Sequence, residues 1–107
     1  MSRNDTKKYL EGYRKNMARA QRLKMQMKAF TASAPSISRE IEDCVRHGGI
    51  IEGFIISHNN ICQREILLRK YVYGQTIEKI AEELCYSPRH IQRILNSAVD
   101  SLGARLN

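Results

Sequence analysis

Residues 76–102 read TIEKIAEELCYSPRHIQRILNSAVDSL, and the fold turns on this stretch. Thr76 is suited to cap a helix, and Glu78 favours its first turn. Ile77, Ile80, Ala81 and Leu84 recur on one helical face. Ser87 followed by Pro88 then marks a second helix start, because a proline at the first helical position lacks only an N–H that would be unbonded anyway. This second helix is expected to run to about Leu102 and to end at Gly103. Only Cys85-Tyr86-Ser87 separates the two helices, and Ala81 is the small residue where crossing helices must approach. The pattern predicts a helix-turn-helix with the second helix as reader.

On that second helix Ile91, Leu95, Ala98 and Leu102 share one side. Arg89, Arg93 and Asn96 stand opposite, with His90 and Gln92 on the flanks. Arginine pairs with guanine and Asn or Gln with adenine through matched donors and acceptors. A merely solvated face would carry Glu and Lys; the first three turns carry neither, whereas the helix before them holds Glu78, Glu82 and Glu83. The expected assignment has Arg89, Gln92, Arg93 and Asn96 reading bases, with His90 and Ser87 assisting. Thr76 and Lys79 are expected near the DNA backbone.

Outward from this core the run REILLRKYVYGQTIEKIAEELCYSPRHIQRILNSAVDSL (64–102) resembles region four of bacterial sigma factors. The likeness rests on Arg64-Glu65-Ile66-Leu67, Tyr71, Gly74, Glu78-Lys79-Ile80-Ala81, Ser87, Ala98 and Leu102, and covers 39 of 107 residues. The chain as a whole is similar to small phage and prophage regulators of the ArpU-like and RinA-like kind. The resemblance implies a regulator of phage or mobile-element genes that binds double-stranded DNA, with RNA polymerase as a further partner. Two positions depart from the pattern. Cys85 stands where glycine is usual in the turn, and His90 where threonine is usual, so base preference does not carry over. A second likeness, to the LuxR-type helix-turn-helix, rests on Ser87-Pro88-Arg89 and Leu102-Gly103. That type needs a helix after the reader, and only four residues follow Gly103.

Between Ile61 and Gly74, Ile61, Glu65, Leu68 and Val72 lie at helical spacing, as do Ile66, Leu67 and Tyr71. Gly74 suits a left-handed helix end. Further upstream, 4–32 is rich in helix formers. Tyr9, Tyr13, Asn16, Ala20, Leu23, Met27 and Phe30 form a heptad-like seam. It fits either a homodimer through the N-terminal helices or a helix lying on its own core. TASAPS (31–36) predicts a break, with Ser36 or Ser38 capping the next helix, and Gly48-Gly49 predicts an interruption of that helix. The apolar run that follows, around Ile50–Ile56, is read as helix because no partner strand is visible.

Charge is distributed unevenly. The first 28 residues hold nine Lys/Arg against Asp5 and Glu11, whereas the rest of the chain holds nine of each sign. A basic excess of this kind points to a polyanionic partner. Within 75–102, Lys79, Arg89 and Arg93 face Glu78, Glu82, Glu83 and Asp100, a net of −1, so the basic arm or a second subunit must supply phosphate affinity.

Three cysteines without a CxxC pair argue against a disulfide framework. Cys44, His47, His58 and Cys62 have helical pair spacing, but their order is unlike zinc sites, and buried cysteines with surface histidines are expected instead. No phosphate-binding glycine loop, GxSxG or HExxH occurs, so neither catalysis nor a metal or other cofactor is expected. The richest apolar stretch, GGIIEGFII, is too short for a membrane span and carries Glu52. A polar start, MSRNDTKKY, sets the expectation of a cytoplasmic protein. The sequence therefore predicts an all-α chain. A helical N-terminal half (1–58) precedes a sigma region-four-like helix-turn-helix bundle (59–107) that reads DNA as a transcriptional regulator. The competing expectation is a module that docks on RNA polymerase or another regulator without reading DNA.

Overall fold

The computed structural model describes residues 2–29 and 34–106. Every regular element in them is helical. Helix α1 spans Arg3–Ala29 and α2 spans Ala34–Ile56. Helix α3, Ile61–Leu67, runs directly into a widened π turn, Leu68–Val72. Helices α4, Ile77–Leu84, and α5, Pro88–Leu106, complete the chain.

Three boundaries differ from the sequence expectation. Ser36 and Ser38 do not cap α2 but lie inside it, because Pro35 is accommodated in the first turn, where its missing N–H breaks no intrahelical bond. Phe30 and residues 31–33 of the expected break fall outside the described residues. Gly48-Gly49 does not interrupt α2. Cys44, Ile51 and Ile55 on either side are buried on one face and carry the helix through. Gly48 itself lies against side chains of α1: a Cβ there would stand 2.4 Å from Met17 Cε and 3.6 Å from Tyr13 Cδ2. Gly103 does not end α5, which continues to Leu106. Its last turn is anchored instead, since Arg105 donates to Ser57 Oγ at 3.1 Å and lies over the Phe54 ring at 4.9 Å. The run at Ile50–Ile56 is helical, as expected.

One apolar core draws on both halves of the chain. Leu10, Ile51 and Ile55 pack with Ile66, Leu67, Tyr71, Ile80 and Ala81, and with Ile91, Leu95, Ala98, Val99 and Leu102. A second, smaller cluster of Ala20, Leu23 and Cys44, flanked by Ile37 and Ile41, closes the other end of the α1–α2 hairpin. Four seam residues of α1 pack against the chain's own helices: Ala20 and Leu23 are buried and Tyr9 and Tyr13 pack on the main core. Leu10 and Thr6, off the seam, are fully buried as well. Thr6 is masked as a core residue by its hydroxyl, which donates to the Ser2 carbonyl at 2.9 Å.

Ion pairs tie distant segments together. Arg3 Nε and Nη2 hold both carboxylate oxygens of Asp100 at 2.9 and 2.6 Å, pinning the start of α1 to α5. Arg69 on the π turn donates to Glu65 at 2.8 Å and also pairs with Glu83 of α4. Among the described residues no helix is long and apolar enough to cross a membrane.

Candidate nucleic-acid interface

The turn between α4 and α5 is built by its backbone. Thr76 caps α4, its Oγ1 accepting from Lys79 N–H at 3.1 Å. At the other end Cys85 takes the left-handed conformation, φ 61° and ψ 39°. Tyr86 N–H then reaches the Ala81 carbonyl at 2.9 Å, and Cys85 N–H the Glu82 carbonyl at 3.4 Å, which satisfies carbonyls the helix end leaves open. Ser87 caps α5, its Oγ accepting from His90 N–H at 3.1 Å, and its own O–H remains a donor. Ala81 is buried beneath the turn, as the tight crossing requires.

This frame fixes which face of α5 turns outward. Ile91, Leu95, Ala98, Val99 and Leu102 are buried, and Arg89, His90 and Arg93 are exposed. Arg89 and Arg93 lie one turn apart, and neither has an ion-pair partner among the described residues. The His90 ring rests edge-on against Tyr86 at 4.9 Å. Gln92 and Asn96 stand less far outward than a simple wheel suggests: both are half-buried, and Gln92 Nε2 donates to Asn96 Oδ1 at 3.0 Å. The pair fixes both amides while leaving a donor and an acceptor free between them. Thr76 is exposed at the opposite end of α4, about 12 Å along its axis from the turn, and Lys79 is exposed about 7 Å from it. Lys79 Nζ is 3.5 Å from Glu83 Oε1. The structure thus groups Ser87, Arg89, His90, Gln92, Arg93 and Asn96 on α5 and sets Thr76 and Lys79 apart.

The acidity of this segment is partly offset from outside it. Glu83 is claimed by Arg69, and Asp100 by Arg3. Desolvation pushes the Glu83 carboxyl upward, but hydrogen bonding and charge from Arg69, with Lys79, hold it below its ordinary value. The hydrogen bond from Arg3 lowers Asp100 in the same sense, against a smaller desolvation and helped by the charges of Arg3 and Lys7. Neither tie is visible in local sequence, since Arg3 lies 97 positions from Asp100. The only sequence signal was the acid-rich α4 beside a chain with basic residues elsewhere. Tyr86 and Tyr73 are further exposed rings near the turn and before α4 that residue-type reasoning passed over.

The expectation for the cysteine–histidine set holds only in part. Cys44 is buried and His47 exposed, but Cys62 is exposed and His58 buried. His58 is drawn in by its neighbours, its Nε2–H donating to Gln63 Oε1 at 2.6 Å and its carbonyl accepting from Arg64 Nε at 3.1 Å. Among the described residues no three His, Cys, Asp or Glu side chains converge as a metal ion would need. Compared with protein-family models, characterised proteins and solved structures, the chain matches none.

Proposed function

We propose that this chain is a sequence-specific DNA-binding transcriptional regulator, of the phage, prophage or mobile-element type that its likeness to sigma region four suggests. Helix α5 would lie in the major groove. One observation carries the reading: Arg89 and Arg93 project one turn apart from a helix whose opposite flank is buried, and neither has an ion-pair partner among the described residues. A guanidinium fork without an internal partner is the side chain best matched to the two acceptors of guanine. The linked Gln92–Asn96 amides supply a second, preoriented donor–acceptor edge beside it. Ser87 O–H and the α5 N-terminus would meet a backbone phosphate. Thr76 and Lys79 would meet the backbone at the start of α4.

The test is titration of a duplex recovered by selection from a random pool, by gel shift at fixed salt. Arg93→Ala should weaken binding by about 1–3 kcal/mol and relax base preference at the position it reads. Unchanged affinity and preference would overturn the assignment of the reader face. Retention of a host protein without DNA, from nuclease-treated extract, would favour a docking module instead.

A further inference from the structure

A cleft of about 320 Å³ lies between α1 and the π turn, lined by Glu11, Arg14 and Lys15 on one side and Lys70 and Tyr71 on the other. Three cations therefore face one carboxylate. None of Arg14, Lys15 and Lys70 has an ion-pair partner among the described residues. The Arg14 guanidinium lies directly over Gly74. That glycine has φ +72°, and a Cβ on it would fall 2.4 Å from Arg14 Cζ. The bare backbone thus lets a cation from α1 sit against the turn that leads into α4.

Place and charge together define the ligand. Gly74 is two residues before Thr76, the α4 cap. In a helix-turn-helix the first helix crosses the DNA backbone, so phosphates pass near its leading end. We infer that the Arg14–Lys15–Lys70 cleft is a clamp for the DNA phosphate backbone, flanking the groove that α5 enters. The inference rests on the reading of α5 as a DNA reader. It supplies what the reader segment lacks, since phosphate neutralisation provides most non-specific affinity. Tyr71 forms the inner wall of the cleft. The clamp also divides the basic arm into two parts. The cations at Arg14 and Lys15 adjoin the α4 entry, whereas Arg19, Arg22 and Lys28 are exposed towards the end of the hairpin held by the smaller apolar cluster.

The test compares two full-length variants that lose the same charge. R14Q/K15Q/K70Q empties the clamp; R19Q/R22Q/K28Q strips the far end of α1. Binding to a fluorescein-labelled mixed-sequence duplex is measured across a salt series, and melting curves check the fold. The clamp variant should bind at least about tenfold more weakly near 100 mM salt, with a log–log salt slope shallower by about 2. The far-end variant should change the slope by less than about 1. Arg14→Gln alone, an exposed change safe for folding, should move the slope in the same direction by about one-third as much. Equal losses in the two triple variants would mean that only net charge matters, and would overturn the clamp. An unaltered clamp variant would overturn it too, while leaving the Arg93→Ala result on a selected duplex to stand on its own. Failure of the unmodified chain to bind any duplex would overturn both the clamp and the reader.

Discussion

Cys85 carries the sharpest local tension in the chain. It is the one non-glycine residue with positive φ among those described, at 61°. A side chain in that conformation costs about 1–2 kcal/mol because its Cβ crowds the carbonyl. Cys85 is exposed, so no core contact offsets the cost. Cys85→Gly should remove the strain and give back part of it as unfolded-chain entropy, for a net gain of up to about 1 kcal/mol. Cys85→Val should lower stability, because a branched Cβ tolerates this region least. Urea unfolding midpoints decide it, and a midpoint unchanged by both substitutions would show that the turn is not strained. This position was legible beforehand, since a tight turn of this kind usually takes glycine where the helix ends left-handed. The inward tilt of Asn96 and the burial of His58 were not. Each depends on one hydrogen bond, Gln92 to Asn96 and His58 to Gln63, that residue type alone does not announce.

Among the helices, legibility followed the strength of the local signal. Thr76 and Ser87 cap as expected because a hydroxyl three residues ahead of a free N–H is a self-contained device. Gly48-Gly49 and Gly103 misled because glycine reads as a helix end only when nothing nearby holds the helix together. Here buried neighbours on α2 and the Arg105 anchor on α5 do so. The two adjacent glycines of α2 differ in a way that can be measured. Nothing stands within 4 Å of a Cβ on Gly49, whereas one on Gly48 meets Met17. Gly49→Ala should therefore stabilise the protein by about 0.5–1 kcal/mol, the ordinary gain in a helix interior. Gly48→Ala should gain somewhat less, because the methyl end of the flexible Met17 side chain must first move aside. Thermal melts of the two variants are the comparison, and equal gains would show that α1 does not press on Gly48.

Across the whole molecule, ion pairs join segments far apart in sequence. The Arg3–Asp100 pair closes α1 onto α5, and it keeps the Asp100 carboxyl ionised below its ordinary range. A carboxyl with a lowered folded pKa contributes stability that is fully present above the unfolded value, about pH 4, and lost as pH falls below it. Asp100→Asn should lower the melting temperature at neutral pH and flatten its decline below about pH 4; parallel declines in variant and parent would show that this pair contributes nothing to acid sensitivity. The all-α architecture and the outward Arg89 and Arg93 were legible because they follow from periodicity within single helices. The shared core and the matching of Glu83 and Asp100 by distant arginines were not, because they arise only when separate elements meet, α1 with α5 and the π turn with α4. Those pairings bear on the central claim, since they relieve the net negative charge that local sequence assigns to the reader segment. The most direct measurement is selection of duplexes from a random pool by the full-length protein, sequenced after several rounds. A defined motif should emerge with the unmodified chain and lose definition at discrete positions with Arg93→Ala. Recovery of unbiased sequence, or an identical motif from both proteins, would contradict the account.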